Sequence, residues 1–115
     1  MQNWYYIENT AKDAENLLHM FWEFHDFHIQ SLSHNPKENT VDLVLEYDSA
    51  GLRVKLRFVD VYDFNFGPMS YDPDFWIMDA ALFITDSNAV IWALEGEIKC
   101  EEEISEHDTW VKSEK

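Results

Sequence analysis

Four of the five histidines fall early in the chain, at His19, His25, His28 and His34, and Asp26 lies between two of them. In Phe24-His25-Asp26-Phe27-His28, imidazole and carboxylate groups stand close enough in sequence to ligate zinc or another divalent cation. His25, Asp26 and His28 would then serve a small metal-dependent enzyme, with Asp79 as a further carboxylate. The spacing argues against it. His25 and His28 share a face only on a helix, whereas the segment from Asp26 onward alternates like a strand. On the structural reading His25 complements the end of a preceding helix, Asp26 hydrogen-bonds the turn backbone, and Phe24 and Phe27 pack. No Ser/His/Asp or Cys/His arrangement, Gly-x-Ser-x-Gly elbow or glycine-rich phosphate loop is recognisable. Asp72 and Asp74, with Asp79 downstream, offer oxygen ligands for calcium or magnesium but lack EF-hand spacing, which favours a solvated turn. No cofactor is expected, and the chain reads as a binding protein more readily than as an enzyme.

Charge is the second source of chemistry. Eight basic against 23 acidic side chains leave a net charge of −15. Such a field repels nucleic acid and anionic membrane and draws in cationic proteins, most strongly at low salt. Glu101, Glu102, Glu103, Glu106 and Asp108 form an acidic block near the C-terminus, and Asp72 and Asp74 lie beside Tyr71 in a proline-containing stretch. Together they are the candidate binding residues: carboxylates imitate phosphate toward a basic target, and aromatic side chains supply anchors. The same block also reads as a plain solvated segment.

These residues must be positioned by a sheet-rich fold. Thr40–Tyr47 and Leu52–Phe58 alternate with period 2 on either side of Asp48-Ser-Ala-Gly51, the signature of a hairpin. Setting Tyr47 opposite Leu52 aligns Leu45 with Val54, Leu43 with Leu56 and Val41 with Phe58. The same register pairs Glu46 with Arg53 and Asp42 with Arg57, so one alignment satisfies both faces. The second strand is expected to continue through Phe66, keeping Asp60, Tyr62, Phe64 and Phe66 in phase with Phe58. Thr10 and Asp13 resemble a capping box, and Ala14, Leu17, Leu18, Phe21 and Phe24 follow a helical stripe, giving a helix from Thr10 to Phe24 or His25. A strand over Asp26–Ser33 precedes the hairpin. Beyond the Gly67–Phe75 loop, Trp76–Thr85 and Ala89–Glu95 form a second hairpin, apolar on both faces and therefore the more buried. A last strand is expected around Trp110 and Val111. The Trp4–Ile7 arm is either an edge strand or a plug on the core.

The whole predicts one α+β domain over residues 1–115: an N-terminal amphipathic helix packed on a curved, mostly antiparallel sheet of five to seven strands. Cys100 is the only cysteine, which fits a reducing, cytoplasmic setting. No apolar run approaches the roughly 18 residues of a membrane span. The doubly apolar second hairpin also raises the possibility of a homodimer. Trp4, Asp13-Ala-Glu-Asn-Leu17, Phe24-His25-Asp26, and Asp79-Ala-Ala-Leu-Phe83 followed by Ile91-Trp92 resemble the pattern of a family of small, poorly characterised Firmicutes-type bacterial proteins. In size, acidity and sheet content the chain is also similar to immunity proteins of polymorphic-toxin systems. That similarity implies a non-catalytic role, the covering of a basic toxin partner, and carries over no individual residues.

Overall fold

Alternation and cross-strand charge settle the centre of the molecule. Strands β2 (Thr40–Tyr47) and β3 (Leu52–Val59) pair antiparallel, with Val41 opposite Phe58, Leu43 opposite Leu56 and Leu45 opposite Val54. Asp42 meets Arg57 and Glu46 meets Arg53 on the other face, as the sequence predicts. The computed structural model describes residues 10–47, 52–67, 76–104 and 108–115, so the connection at 48–51 lies outside the described residues. β1 (Phe27–Asn35) flanks β2, with an irregularity between Ile29 and Ser31. The remaining strands are β4 (Val61–Asn65), β5 (Ala81–Ile84), β6 (Val90–Ala93) and β7 (Trp110–Ser113).

The class is α+β, but the expected single curved sheet is two sheets. One is ordered β1-β2-β3 and the other β4-β7-β6-β5, with antiparallel neighbours throughout. The reason is Asp60. Its φ of 55° breaks the strand expected to run unbroken to Phe66, and the chain turns a corner from one sheet into the other, a common way to join packed sheets. The break also shifts the phase: Val61 turns inward, and Tyr62, expected on the side of Phe58, is exposed. A second irregularity between Val61 and Asp63 returns Phe64 to the core. The C-terminus ties the corner, since Val59 and Lys115 exchange backbone bonds of 2.8 and 3.1 Å.

Val41, Leu43, Leu45 and Phe58 from the first sheet share a core with Leu82, Val90, Trp92 and Val111 from the second. Burial of each such side chain contributes about 1.5–3 kcal/mol. The far face of the second sheet is covered too: Ala81, Phe83, Ala93 and Trp110 pack under Ile98 and Ile104. Burial on both faces is what the second hairpin's composition predicts, although its strands are shorter than expected. That cover, among the described residues, lies over the apolar face to which the homodimer expectation refers.

Helix α1 (Ala11–Met20) starts where predicted, with the Thr10 hydroxyl accepting from the Asp13 amide at 3.1 Å. It lies along β5 with Ala14 buried and Leu17, Leu18 and Phe21 half-buried against the core. No helix among the described residues is long and apolar enough to cross a membrane.

Candidate interaction surface

The helix expected to reach Phe24 or His25 ends at Met20. Trp22, Glu23 and Phe24 follow as a tight turn with φ of 53°, 54° and 57°, and Asp26 has φ 65°. Left-handed backbone costs a non-glycine residue about 1–2 kcal/mol. The turn is held because it swings Phe24 fully into the core, stacked on Phe21 at 5.6 Å and edge-on to Phe27 at 5.4 Å. The segment before β5 is laced to it: Glu23 O accepts from Ala80 N at 2.8 Å, Asp26 N donates to Ile77 O at 2.9 Å, and Ile77 N donates to Phe27 O at 2.8 Å. Met20, Trp22, Trp76 and Met78 are left exposed around this junction.

His25 sits at the centre of the lacing. Its Nδ1 faces the Met78 carbonyl, which can only accept, so Nδ1 carries a proton in both ionisation states. Nε2 lies 3.6 Å from Asp26 Oδ1, and Nδ1 lies 4.0 Å from Asp79 Oδ1. The Met78 carbonyl first, then Asp26, Asp79 and Glu23, hold the His25 pKa above its ordinary value. A raised folded-state pKa makes the charged ring's stabilisation complete below the unfolded pKa of about 6.5. It is lost as pH rises through the folded value. Amide-exchange protection at Ile77 and Ala80 is therefore expected to fall as pH rises through the neutral range. His25→Gln, which keeps an amide donor for Met78, is expected to abolish that dependence.

His28 belongs elsewhere. It lies on β1 with its ring edge-on to Trp76 at 5.0 Å and Nε2 3.9 Å from Glu46. His25 and His28 thus address different carboxylates, and no three His, Cys, Asp or Glu side chains among the described residues gather as a metal site. Asp79, the charge within an apolar stretch, is exposed just before β5 and packs its Cβ against Gly96.

The outer face of the first sheet is internally neutralised. Arg53 donates to Glu46 at 2.8 Å, Arg57 donates to both oxygens of Asp42 at 2.8 and 3.0 Å, and Lys55 lies 3.5 Å from Asp42. The Arg57 hydrogen bond holds the Asp42 pKa below its usual range.

The acidic block lies on the other side of the molecule. Glu101–Glu103 form a 3-10 turn in the segment covering the far face of the second sheet. Glu101 is anchored by Lys112 at 2.6 Å, while Glu102 and Glu103 are exposed. Asp108 is half-buried, and its carbonyl accepts from Asn65 at 2.7 Å, which ties the end of the block to β4. Glu106, Asp72, Asp74 and Tyr71, the other candidate binding residues, lie outside the described residues.

Residues 27–59, which contain the whole first sheet, hold four basic side chains (Lys37, Arg53, Lys55, Arg57) and four acidic ones (Glu38, Asp42, Glu46, Asp48). The net charge of −15 therefore belongs to residues 1–26 and 60–115, which hold 19 acidic and four basic side chains; of these acids, Glu8, Asp72, Asp74 and Glu106 lie outside the described residues. No family model, curated protein or solved structure matches this chain.

Proposed function

We propose that this chain is a small acidic binding protein that covers a basic protein partner in the cytoplasm, in the manner of an immunity protein neutralising a toxin. The observation that carries this reading is the segregation of charge. Residues 27–59, which contain the first sheet, sum to zero and the −15 falls on the rest of the chain, with Glu102 and Glu103 exposed on the segment that covers the second sheet. Segregated charge gives the molecule a direction of approach and steers a cationic surface toward the acidic side. Exposed Trp22, Trp76 and Met78, near Glu23, Asp26 and Asp79, supply the apolar contact that charge alone does not.

Affinity capture from the native host, washed at low and at high salt, tests this. A basic protein is expected to be retained at low salt and shed at high salt. Glu102→Lys combined with Glu103→Lys is expected to weaken retention at least about tenfold, the loss of roughly 1.4 kcal/mol of binding. Recovery of no partner, or of one held equally at both salts by both proteins, would defeat the proposal.

A further inference from the structure

Among the described residues, β1 is an edge strand of the first sheet. One side pairs with β2, and its first residue is tied to Ile77. Beyond that tie, among the described residues, no backbone group of residues 29–35 bonds to any other strand or loop outside the β1–β2 hairpin. Gln30, Ser31, Ser33, His34 and Asn35 are exposed along it. An open edge is a template for another strand, and sheets ordinarily guard such edges with lysine, proline or inward-pointing charge. β1 carries none of these. No Asp, Glu, Lys or Arg occurs between Asp26 and Lys37, and Pro36 stands just past the end of the strand. The irregularity between Ile29 and Ser31 is its one guard, and it leaves Ser31 to Asn35 in unbroken register with β2.

We propose that β1 pairs antiparallel with the β1 of a second copy, so that two three-stranded sheets merge across a two-fold axis into one. Charge selects this occupant. At −15, two copies repel over most of their surfaces, and like charges set opposite each other oppose pairing. The β1 edge brings no Asp, Glu, Lys or Arg to its own image. A cationic strand would gain little here, because Asp42 and Glu46 beside the edge are already held by Arg57, Lys55 and Arg53. The acidic cover of the second sheet stays free in such a dimer, so self-pairing and capture of a basic partner are compatible.

Sedimentation equilibrium of the full chain across a concentration series tests the pairing. The mean mass is expected to rise from 13.7 kDa toward twice that value, and to rise further at high salt, because salt screens the repulsion between the two acidic bodies. Capture of a cationic partner has the opposite salt dependence, so failure of one proposal is distinct from failure of the other. Ser31→Lys with Ser33→Lys places like charges across the pairing and is expected to hold the mass at the monomer value. Amide exchange of the unmodified chain gives a second reading, with protection across residues 29–35 expected to increase with concentration. A monomer at every concentration and salt would overturn the proposal. So would a dimer indifferent to both lysines, or protection at residues 29–35 that ignores concentration.

Discussion

Phe27→Ala is expected to cost about 3–5 kcal/mol. The ring is fully buried at the point where the helix exit, β1 and β2 converge. It meets Phe24 edge-on at 5.4 Å, Tyr47 at 5.2 Å and Phe21 at 6.4 Å. Each aromatic contact adds about 0.5–1.5 kcal/mol beyond the area buried. The ring also compensates for the left-handed turn, because Phe24 is swung inward to meet it. Domains of this kind have about 5–15 kcal/mol of total stability, so the variant is expected to be partly unfolded at physiological temperature. Urea denaturation checks this through a lower midpoint at unchanged slope. A loss under about 1 kcal/mol would show that the ring is not the keystone of the junction.

Gly96→Ala is the second large effect, and it reaches the same junction from the opposite side. A Cβ at residue 96 would stand 2.6 Å from Asp79 Cβ and 3.3 Å from the Asp79 carbonyl carbon and oxygen. Those neighbours cannot swing away as the tip of a long side chain can. The 79–80 backbone must move, and such overpacking costs about 1–3 kcal/mol. Thermal unfolding reads this as a fall of about 4–8 °C for each kcal/mol in a domain near this size. The displacement also strains the Ala80-to-Glu23 hydrogen bond and draws Asp79 away from His25. The His25 titration midpoint, measured by NMR, is therefore expected to drop toward that of an ordinary imidazole. Adding Asp79→Gly removes the Cβ–Cβ clash and should recover part of the stability, a coupling visible in a double-mutant cycle.

How much of this was legible depends on whether a feature is encoded locally. The β2–β3 register was readable because apolar alternation and opposite charges demand the same alignment, and a one-residue slip violates both. The Thr10 cap was readable for a similar reason, since hydroxyl and amide lie three residues apart. The end of α1 was not. Trp22, Glu23, Phe24 and Asp26 adopt left-handed backbone with no glycine to announce it, and the pull on Phe24 comes from Phe27 and the distant 76–80 segment. Asp60 misled the sheet reading in the same way: a left-handed corner occupied by aspartate looks in sequence like one more polar position in an alternating strand.

The candidate site divided along the same line. Glu102 and Glu103 were legible as an acidic block, but their anchorage through Lys112 and their placement over the second sheet depend on tertiary contacts. The sequence predicts His25 at the helix C-terminus, but α1 ends at Met20 and His25 stands between the 22–24 turn and β1. Its actual partners are the Met78 carbonyl, Asp26 and Asp79, of which Met78 and Asp79 lie far along the chain. The uneven charge is written in the sequence: residues 27–59 sum to zero and the rest of the chain to −15.

The proposed capture of a cationic surface can be probed directly by titrating the isotopically labelled protein with a short oligolysine peptide at low salt and following amide shifts. Changes should concentrate at 79–80, 95–104 and 60–63, fade as salt is added, and leave β1 and β2 nearly untouched. Shifts spread evenly over the first sheet, or none at any peptide concentration, would mean that the acidic side of this molecule is not built to receive a cationic surface.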